Sequence, residues 1–436
     1  MRIQRILTNG LLFFALTTAR AVAQEHQHPQ TPAAPADHQH THGTATSLFS
    51  PREGSGTSWL PESTEMYALH GRVGPWELMF HGDAFLQFLR EAANGDRGSS
   101  QGGSVNWVMG MARRELGTSR VGARAMVSLE PATIGNCGYP DLLATGELCE
   151  GEAIHDRQHP HDFLMELAGD FERPLRGSLR LQLYGGPAGE PALGPVAFPH
   201  RPSASPNPLA PISHHWLDAT HIAYGVVTAG VFSPKWKGEG SLFNGREPDE
   251  DRWDADFAAM DSYSGRVTFA PTPDMVVQFS AGHLTDAEAG EDVSSRTDVD
   301  RVTASMIYNR RFATGNVWAT TFAWGRNEEA GIATQAFLAE SSVTLNDRDV
   351  WYGRFEIAGK EAHDLHVEEF GDEVFTVSKL QGGYTRYLAG AAGLRFGVGG
   401  YGSGGFVPGR LKPTYGSRAN LGFGFYVTVR PGAHKM

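Results

Sequence analysis

The sequence predicts an all-β fold: a transmembrane antiparallel β-barrel of about 16 strands with long extracellular loops and a disordered N-terminal tail. Three features support this prediction: an export signal, segments in which apolar and polar residues alternate, and connections that are short and long in turn. The 53 glycines and 25 prolines among 436 residues favour many turns over long helices. After the leader no run of apolar residues is long enough for a helical membrane span, which needs about 20 residues.

The export signal lies at the N-terminus. Arg2 and Arg5 precede a short apolar run at 11–16, and the small residues at 21–23 form a cleavage site. We therefore expect residues 1–23 to be a secretory signal peptide, removed when the chain leaves the cytoplasm. A membrane-anchoring helix is the alternative, but the apolar run is too short for one.

The next segment, residues 24–64, is rich in Pro, His, Thr and Ala and has no apolar periodicity, which predicts a disordered periplasmic tail. Five of its histidines alternate with other polar residues: His26, His28, His38, His40 and His42. Neutral imidazoles in such a tract are expected to bind Cu(II), Zn(II) or Ni(II) weakly and without fixed geometry. The alternative is a solvated linker whose histidines have no function.

Strict alternation marks the strands of the predicted barrel. In the last segment, NLGFGFYVTVR, every second residue from Leu421 to Val429 is apolar. A barrel exposes only these alternate residues to lipid, so the opposite face can be polar. Polar residues on that opposite face are predicted to line the lumen: Arg180, Arg266, Arg354 and Glu356.

The strand count and the connections agree with this architecture. Sixteen candidate strands can be placed, at about 76–90, 103–115, 120–130, 162–172, 177–185, 218–232, 235–243, 261–271, 274–282, 299–312, 315–325, 331–344, 348–358, 373–387, 391–402 and 418–429. Short connections such as PTP and LNDR alternate with long ones such as 131–161 and 186–217. Short periplasmic turns and long outer loops are typical of these barrels. We assign residues 65–430 to the barrel and 431–436 to a C-terminal extension.

With its signal peptide, alternating strands, loop rhythm and aromatic final strand, the chain resembles Gram-negative outer-membrane β-barrels of porin type. The resemblance covers roughly residues 65 to 430 and concerns architecture. It implies location in the outer membrane of a Gram-negative bacterium, with membrane lipid and the barrel-assembly machinery as partners and small solutes or metal ions as cargo. Barrels of this type typically end on an aromatic residue, whereas Pro431–Met436 follow the last strand here.

Cys137 and Cys149, the only cysteines, stand twelve positions apart in an exported chain. This spacing and compartment predict a disulfide that closes one loop. The count leaves no room for a zinc site built from cysteines alone.

Two histidine-rich segments, HDRQHPHD and SHHWLDATH, end long loops and enter the strands predicted at 162–172 and 218–232. One strand separates these two, so the segments should lie near each other in space. Candidate ligands for Cu or Zn are His155, His159, His161, His214, His215 and His221. The alternative, which the unspecific spacing favours, is a hydrogen-bonded rim network without an ion.

These patterns predict a porin-like channel for small solutes or ions as the function. The alternative is a metal-handling barrel with a His-rich periplasmic tail. An outer-membrane hydrolase is a third hypothesis, because Ser213 stands beside His214 and His215. Residues adjacent on an extended chain point to opposite faces, so we expect no enzyme. A net charge of -12 gives nucleic-acid binding no electrostatic support.

Overall fold

The computed structural model describes residues 47–289, 296–388 and 390–433. The predicted signal peptide and the five tail histidines lie outside these residues and stay predictions.

Nineteen strands follow one another along the described chain: β1 Leu69–Val73, β2 Trp76–Glu91, β3 Ser100–Leu116, β4 Ser119–Val127, β5 Tyr139–Cys149, β6 Glu152–Gln158, β7 Leu164–Pro174, β8 Arg180–Gly189, β9 Ala223–Phe232, β10 Trp236–Phe243, β11 Ser262–Thr272, β12 Met275–Ala289, β13 Arg296–Arg311, β14 Val317–Glu329, β15 Ile332–Leu345, β16 Asp349–Glu361, β17 Val374–Tyr387, β18 Leu394–Phe406 and β19 Ala419–Pro431. The described helices are short: α1 Glu130–Thr133, α2 His214–Leu217, α3 Lys412–Tyr415, and 3-10 turns at Gly95–Arg97, Phe198–His200, Ala219–His221, Glu368–Phe370 and Gly409–Leu411. None of the helices in this part of the chain has the length and apolar character needed to cross a bilayer.

Sixteen of these strands, β2–β4 and β7–β19, close into one antiparallel barrel, because β19 pairs with β2 and β9 pairs with β10. The predicted fold and strand number are confirmed. β2 is the strand at which the barrel closes. Its first residues pair with β1, and its last residues pair with β19. β5 and β6 form a separate hairpin.

The loop rhythm follows the prediction, with one exception on the outer side. β14 and β15 are joined there by residues 330–331 alone. A second difference lies between the strands predicted at 274–282 and 299–312, where β12 runs on to Ala289 and β13 already begins at Arg296. Both strands therefore extend beyond the predicted rim.

The lipid face and the lumen face alternate along β19. Leu421 is 69% exposed and Phe425 is 64% exposed, whereas Tyr426 and Thr428, at even positions of the same strand, are 4% and 3% exposed. Apolar residues cover the outside, as a bilayer requires.

Residues 47–64 are folded, so the predicted end of the disordered tail at residue 64 is wrong. This lumenal segment lies inside the barrel, where Trp59 is 9% exposed and Leu60 is 5% exposed. Arg266 Nη2 donates to Thr57 Oγ1 at 3.0 Å, and Arg124 Nη1 donates to the Gly56 carbonyl at 2.9 Å. The segment has no periodicity because charged groups of the barrel wall, rather than strand partners, hold it.

The connection between β8 and β9, residues 190–222, also enters the lumen, and we call it the lumenal loop. Arg354 Nη1 donates to the Leu209 carbonyl at 2.8 Å, and Glu356 Oε1 accepts from Ser213 N at 3.0 Å. Arg266, Arg354 and Glu356 thus face the lumen as predicted, but they are 1–3% exposed because the inserted chain covers them.

Arg180 lies on the same lumen face at the periplasmic end. Its Nε is 3.4 Å from Glu172 Oε2, and its side chain is 33% exposed.

The predicted disulfide between Cys137 and Cys149 is confirmed, with Cα atoms 5.3 Å apart. It links the residue two positions before β5 to the last residue of β5, beside the turn of the β5–β6 hairpin. The hairpin folds onto the barrel wall. Lys379 Nζ donates to Asp141 Oδ1 at 2.5 Å, and Lys360 Nζ donates to Thr145 Oγ1 at 2.7 Å. These buried bonds fix the hairpin against β16 and β17.

Candidate functional site

The two histidine-rich segments meet inside the lumen. Ring centroids are separated by 5.6 Å between His159 and His214, 5.6 Å between His159 and His215, 5.2 Å between His214 and His221, and 5.2 Å between His161 and His221. We call these five residues the histidine cluster. Their proximity follows from the strand order, since only β8 separates β7 from β9.

His155, the sixth predicted ligand, lies apart from this cluster. Its Nδ1 is 3.2 Å from Asp156 Oδ2 and 3.2 Å from Arg97 Nη1, and its ring packs on His366. It belongs to the contact between the β5–β6 hairpin and the loop after β16.

Each imidazole of the cluster is oriented through its Nδ1 atom. The Nδ1 partners lie within 3.2 Å and are the Pro160 carbonyl for His159, a carboxylate oxygen of Glu130 for His161, of Asp218 for His214 and of Glu247 for His215, and the Asp218 carbonyl for His221. This is the hydrogen-bonded network that the sequence predicted. Carboxylates and carbonyls that hold Nδ1 also fix the tautomer and leave Nε2 as the free donor atom of a metal ligand.

Three of the Nε2 atoms, those of His159, His215 and His221, are buried and have no hydrogen-bond partner among the described residues. These three nitrogens are therefore free to accept a hydrogen bond or to bind a cation.

The ring nitrogens do not converge as a finished three-histidine site. Within the described ranges, the group at the cluster whose ligand atoms all lie within 4.8 Å of one another is His215, Glu247 and Glu288. The cluster therefore offers one mixed nitrogen and oxygen set and, beside it, a row of single imidazoles about 5 Å apart.

Burial and neighbouring imidazoles keep most of the cluster neutral. Burial, together with His214 and His215, holds the pKa of His159 well below its usual value. Burial likewise lowers the pKa values of His214 and His221. His161 differs: burial opposes its charge, but the Glu130 carboxylate outweighs this and raises its pKa. Neutral imidazole is the form that binds metals.

Acidic side chains surround the outer approach to His215. A cavity of about 490 Å³ lies at the end of the barrel that carries the long connections. We call it the acidic vestibule. Its carboxylates are Glu147, Glu247, Asp249, Glu250, Asp251, Glu288, Glu329, Glu361 and Asp364, and its basic groups are Arg296 and His363. Such a surplus of carboxylates in a cleft concentrates cations.

Sequence reasoning missed Glu130, Glu147, Glu247, Glu288 and Asp218. Asp218 stands within SHHWLDATH, four residues after His214, and that spacing could have marked it. The four glutamates come from separate loops and strands, so no local pattern marks them. Ser213, the serine of the hydrolase hypothesis, binds the barrel wall: its Oγ donates to Glu356 Oε1 at 2.6 Å.

No protein-family model matches this sequence, and no curated protein matches it. Solved structures with a similar fold include an anion-selective porin from Comamonas acidovorans, with 10% identity and a TM-score of 0.49, covering 81% of this chain and 99% of that one. OmpF of Salmonella typhi has 8% identity and a TM-score of 0.49, covering 83% and 100%. A loop-deletion mutant of OmpT, an outer membrane protein of Vibrio cholerae, has 8% identity and a TM-score of 0.49, covering 82% and 100%.

The protein is a closed 16-stranded antiparallel β-barrel whose apolar outer face suits a lipid bilayer. At this level of identity the likeness concerns architecture alone, so its function must be inferred from its own residues.

Proposed function

We propose that this protein is an outer-membrane channel whose cargo is a divalent transition-metal cation, Zn(II) or Cu(II), bound in passage by the histidine cluster. The proposal joins the two leading hypotheses from the sequence, a channel and a metal-handling barrel. The observation that carries it is the set of buried, unpartnered Nε2 atoms on imidazoles whose Nδ1 atoms are held by oxygen.

The filled lumen argues against a wide, unselective pore. The lumenal loop bonds to separate parts of the wall: Gly194 N donates to Ser280 Oγ on β12 at 2.8 Å, and Asn207 Nδ2 donates to Gln381 Oε1 on β17 at 2.8 Å. Sixteen strands alone would leave an aqueous channel. Here a solute has to pass between side chains, so selectivity follows from the chemistry of those side chains.

The nitrogen and oxygen ligands of the cluster favour a transition-metal cation of intermediate softness. Imidazole with carboxylate suits Zn(II) and Cu(II), whereas Mg(II) and Ca(II) prefer oxygen alone. Single imidazoles about 5 Å apart favour weak, sequential binding over one tight site. Conduction needs sites that bind strongly enough for entry and weakly enough for release.

The charge distribution indicates that cations approach the histidine cluster from the outer mouth of the barrel. Carboxylates of the acidic vestibule attract cations to the outer mouth, and Glu247 and Glu288 lie where the vestibule meets His215. On the periplasmic side, the tail histidines are predicted to receive the cation.

Zn(II) titration of the full-length protein in detergent tests the binding step. The parent is the full-length chain with the five tail histidines changed to alanine, so that the tail contributes no sites. We expect this parent to bind Zn(II) and His214→Ala/His221→Ala in the same background to bind at least about tenfold more weakly. His283→Ala is the matched control, because His283 is a partly exposed histidine that pairs with Asp300 outside the cluster. Equal binding by parent and cluster variant would contradict the proposal.

A further inference from the structure

A second group of potential ligands, of different chemistry, lies deeper in the lumen. Six of the eleven methionines pack into one cluster, with Met79, Met109, Met111, Met126 and Met165 buried and Met66 partly buried. Barrel interiors are normally polar. A concentration of thioethers on one side of the lumen therefore differs from what the architecture alone requires.

Strand register brings four of these thioethers together. Met79 on β2 pairs with Met111 on β3, and Met109 on β3 pairs with Met126 on β4. All four are buried positions of the lumen face, at alternate residues of their strands. Three neighbouring strands thus present sulfur at the same level of the barrel.

Two histidines complete this group. His81 Nε2 lies 3.1 Å from Met109 Sδ, and the His81 ring lies 5.5 Å from the His200 ring. Trp107 packs against both imidazoles, at 5.3 Å from His81 and 4.6 Å from His200.

The residues border a cavity of about 150 Å³, which Met79, Met109, Met111, His81, His200 and Trp107 help to line. We call it the methionine pocket. Methionine commonly fills irregular gaps in a core, and that structural role is the alternative explanation. Here the flexible side chains leave space unfilled and bring a nitrogen and a sulfur close together at its edge.

We propose that the methionine pocket binds a soft monovalent cation of the Cu(I) or Ag(I) class. Thioether sulfur selects such ions, and imidazole is an acceptable partner. A nitrogen and a sulfur bound to one ion at roughly 2.0 and 2.3 Å lie about 3 to 4 Å apart, so small rotations of His81 and Met109 suffice.

The methionine pocket and the histidine cluster share no ligand, so each assignment can fail alone. The 3-10 turn Phe198–His200 borders both, because Phe198 contacts His161, His214 and His221 while His200 closes the methionine pocket. Divalent and monovalent cations would thus meet different ligands along one lumen.

Silver titration tests the assignment, because Ag(I) is inert to redox change under these conditions. The full-length protein in detergent, with the tail histidines changed to alanine, is titrated with AgNO₃ in chloride-free buffer. We compare Met109→Leu/Met111→Leu with Met275→Leu/Met306→Leu, whose methionines lie outside the cluster. Leucine conserves volume, so the fold should tolerate both changes. His200→Gln, on the lumenal loop rather than the wall, is a second variant should the strand variant fail to fold.

We expect the parent and the Met275→Leu/Met306→Leu control to bind Ag(I), and Met109→Leu/Met111→Leu and His200→Gln to bind at least about tenfold more weakly. Silver K-edge absorption should show sulfur neighbours in the parent. They would be thioethers, because the two cysteines form a disulfide and no free cysteine occurs in the described chain.

Undiminished Ag(I) binding in the pocket variants would overturn the assignment. So would loss of Ag(I) binding in His214→Ala/His221→Ala alone, which would place the ion in the histidine cluster. Zn(II) binding by the pocket variants reports on the histidine cluster separately, so failure of the proposed function is distinguishable from failure of this site.

Discussion

His214 Nδ1 lies 2.9 Å from Asp218 Oδ1, with both side chains buried and four residues apart along the lumenal loop. The second oxygen of Asp218 accepts from Arg201 Nη1 at 2.8 Å and from Phe198 N at 2.8 Å. One carboxylate therefore orients an imidazole of the histidine cluster and ties it to the chain that borders the methionine pocket.

Asp218→Asn should weaken Zn(II) binding by about ten- to a hundredfold, because the amide holds the His214 ring less firmly and lowers its basicity. Calorimetric titration of the tail-substituted protein measures the change. Asp298→Asn is the control, since the side chain of Asp298 is 56% exposed and near His283. If the Asp218→Asn protein binds Zn(II) like the parent, Asp218 does not support metal binding by His214.

Gly146→Ala should disturb His215 directly. Gly146 has φ of +110°, and a Cβ there would lie 2.2 Å from His215 Nε2. Gly151→Ala is a matched control in the same hairpin, with φ of +78° and open space around the added atom. Both changes introduce backbone strain of about 1 kcal/mol or more. Only Gly146→Ala should lower Zn(II) affinity in titration, and equal affinities would show that His215 is not a ligand.

Removing the disulfide with Cys137→Ser/Cys149→Ser should loosen the β5–β6 hairpin and leave the barrel closed. A loop of this length is stabilised by about 3 kcal/mol when cross-linked. Limited proteolysis should cut the hairpin faster in the variant, while migration of the unheated protein on gels stays that of a folded barrel. Loss of the folded band would mean that the hairpin supports the whole wall.

The packing of the lumenal loop should weaken as pH rises. Burial raises the pKa of Glu190 to about 8, whereas an unfolded glutamate titrates near 4.3. Between these values the packed state keeps a proton that the released loop loses, so stability falls with increasing pH. Proteolysis of the loop should therefore be faster at pH 9 than at pH 5.

Glu190→Gln stays neutral and should remove most of that pH dependence. Glu62→Gln, with a side chain 59% exposed, should retain it. Cleavage rates that change equally with pH in both variants would assign the effect to other groups.

The barrel could be predicted from the sequence because lipid imposes a simple rule on each strand. Every second residue must be apolar, and this rule located the strands around Phe425 and Val267 to within a few residues. The lumen obeys no such rule. Residues 47–64 were assigned to the tail because their partners, Arg124, Lys237 and Arg266, are distant in sequence.

The candidate site was partly predictable for the same reason. Strand order brought His159 and His161 towards His214 and His221, but the acids that orient them come from other loops. The methionines at 79, 109 and 111 did carry a signal, since alternation places all three on the lumen face of their strands.

Metal flux into proteoliposomes measures whether the histidine cluster lies on a path for Zn(II) through the barrel. Vesicles containing the tail-substituted protein and an internal zinc-sensitive dye are mixed rapidly with Zn(II), and uptake of an uncharged sugar is measured in parallel. We expect Zn(II) entry that falls at least about tenfold in His214→Ala/His221→Ala, with slow sugar entry in both. Fast sugar entry together with unchanged Zn(II) flux in the variant would contradict a metal-selective path through the histidine cluster.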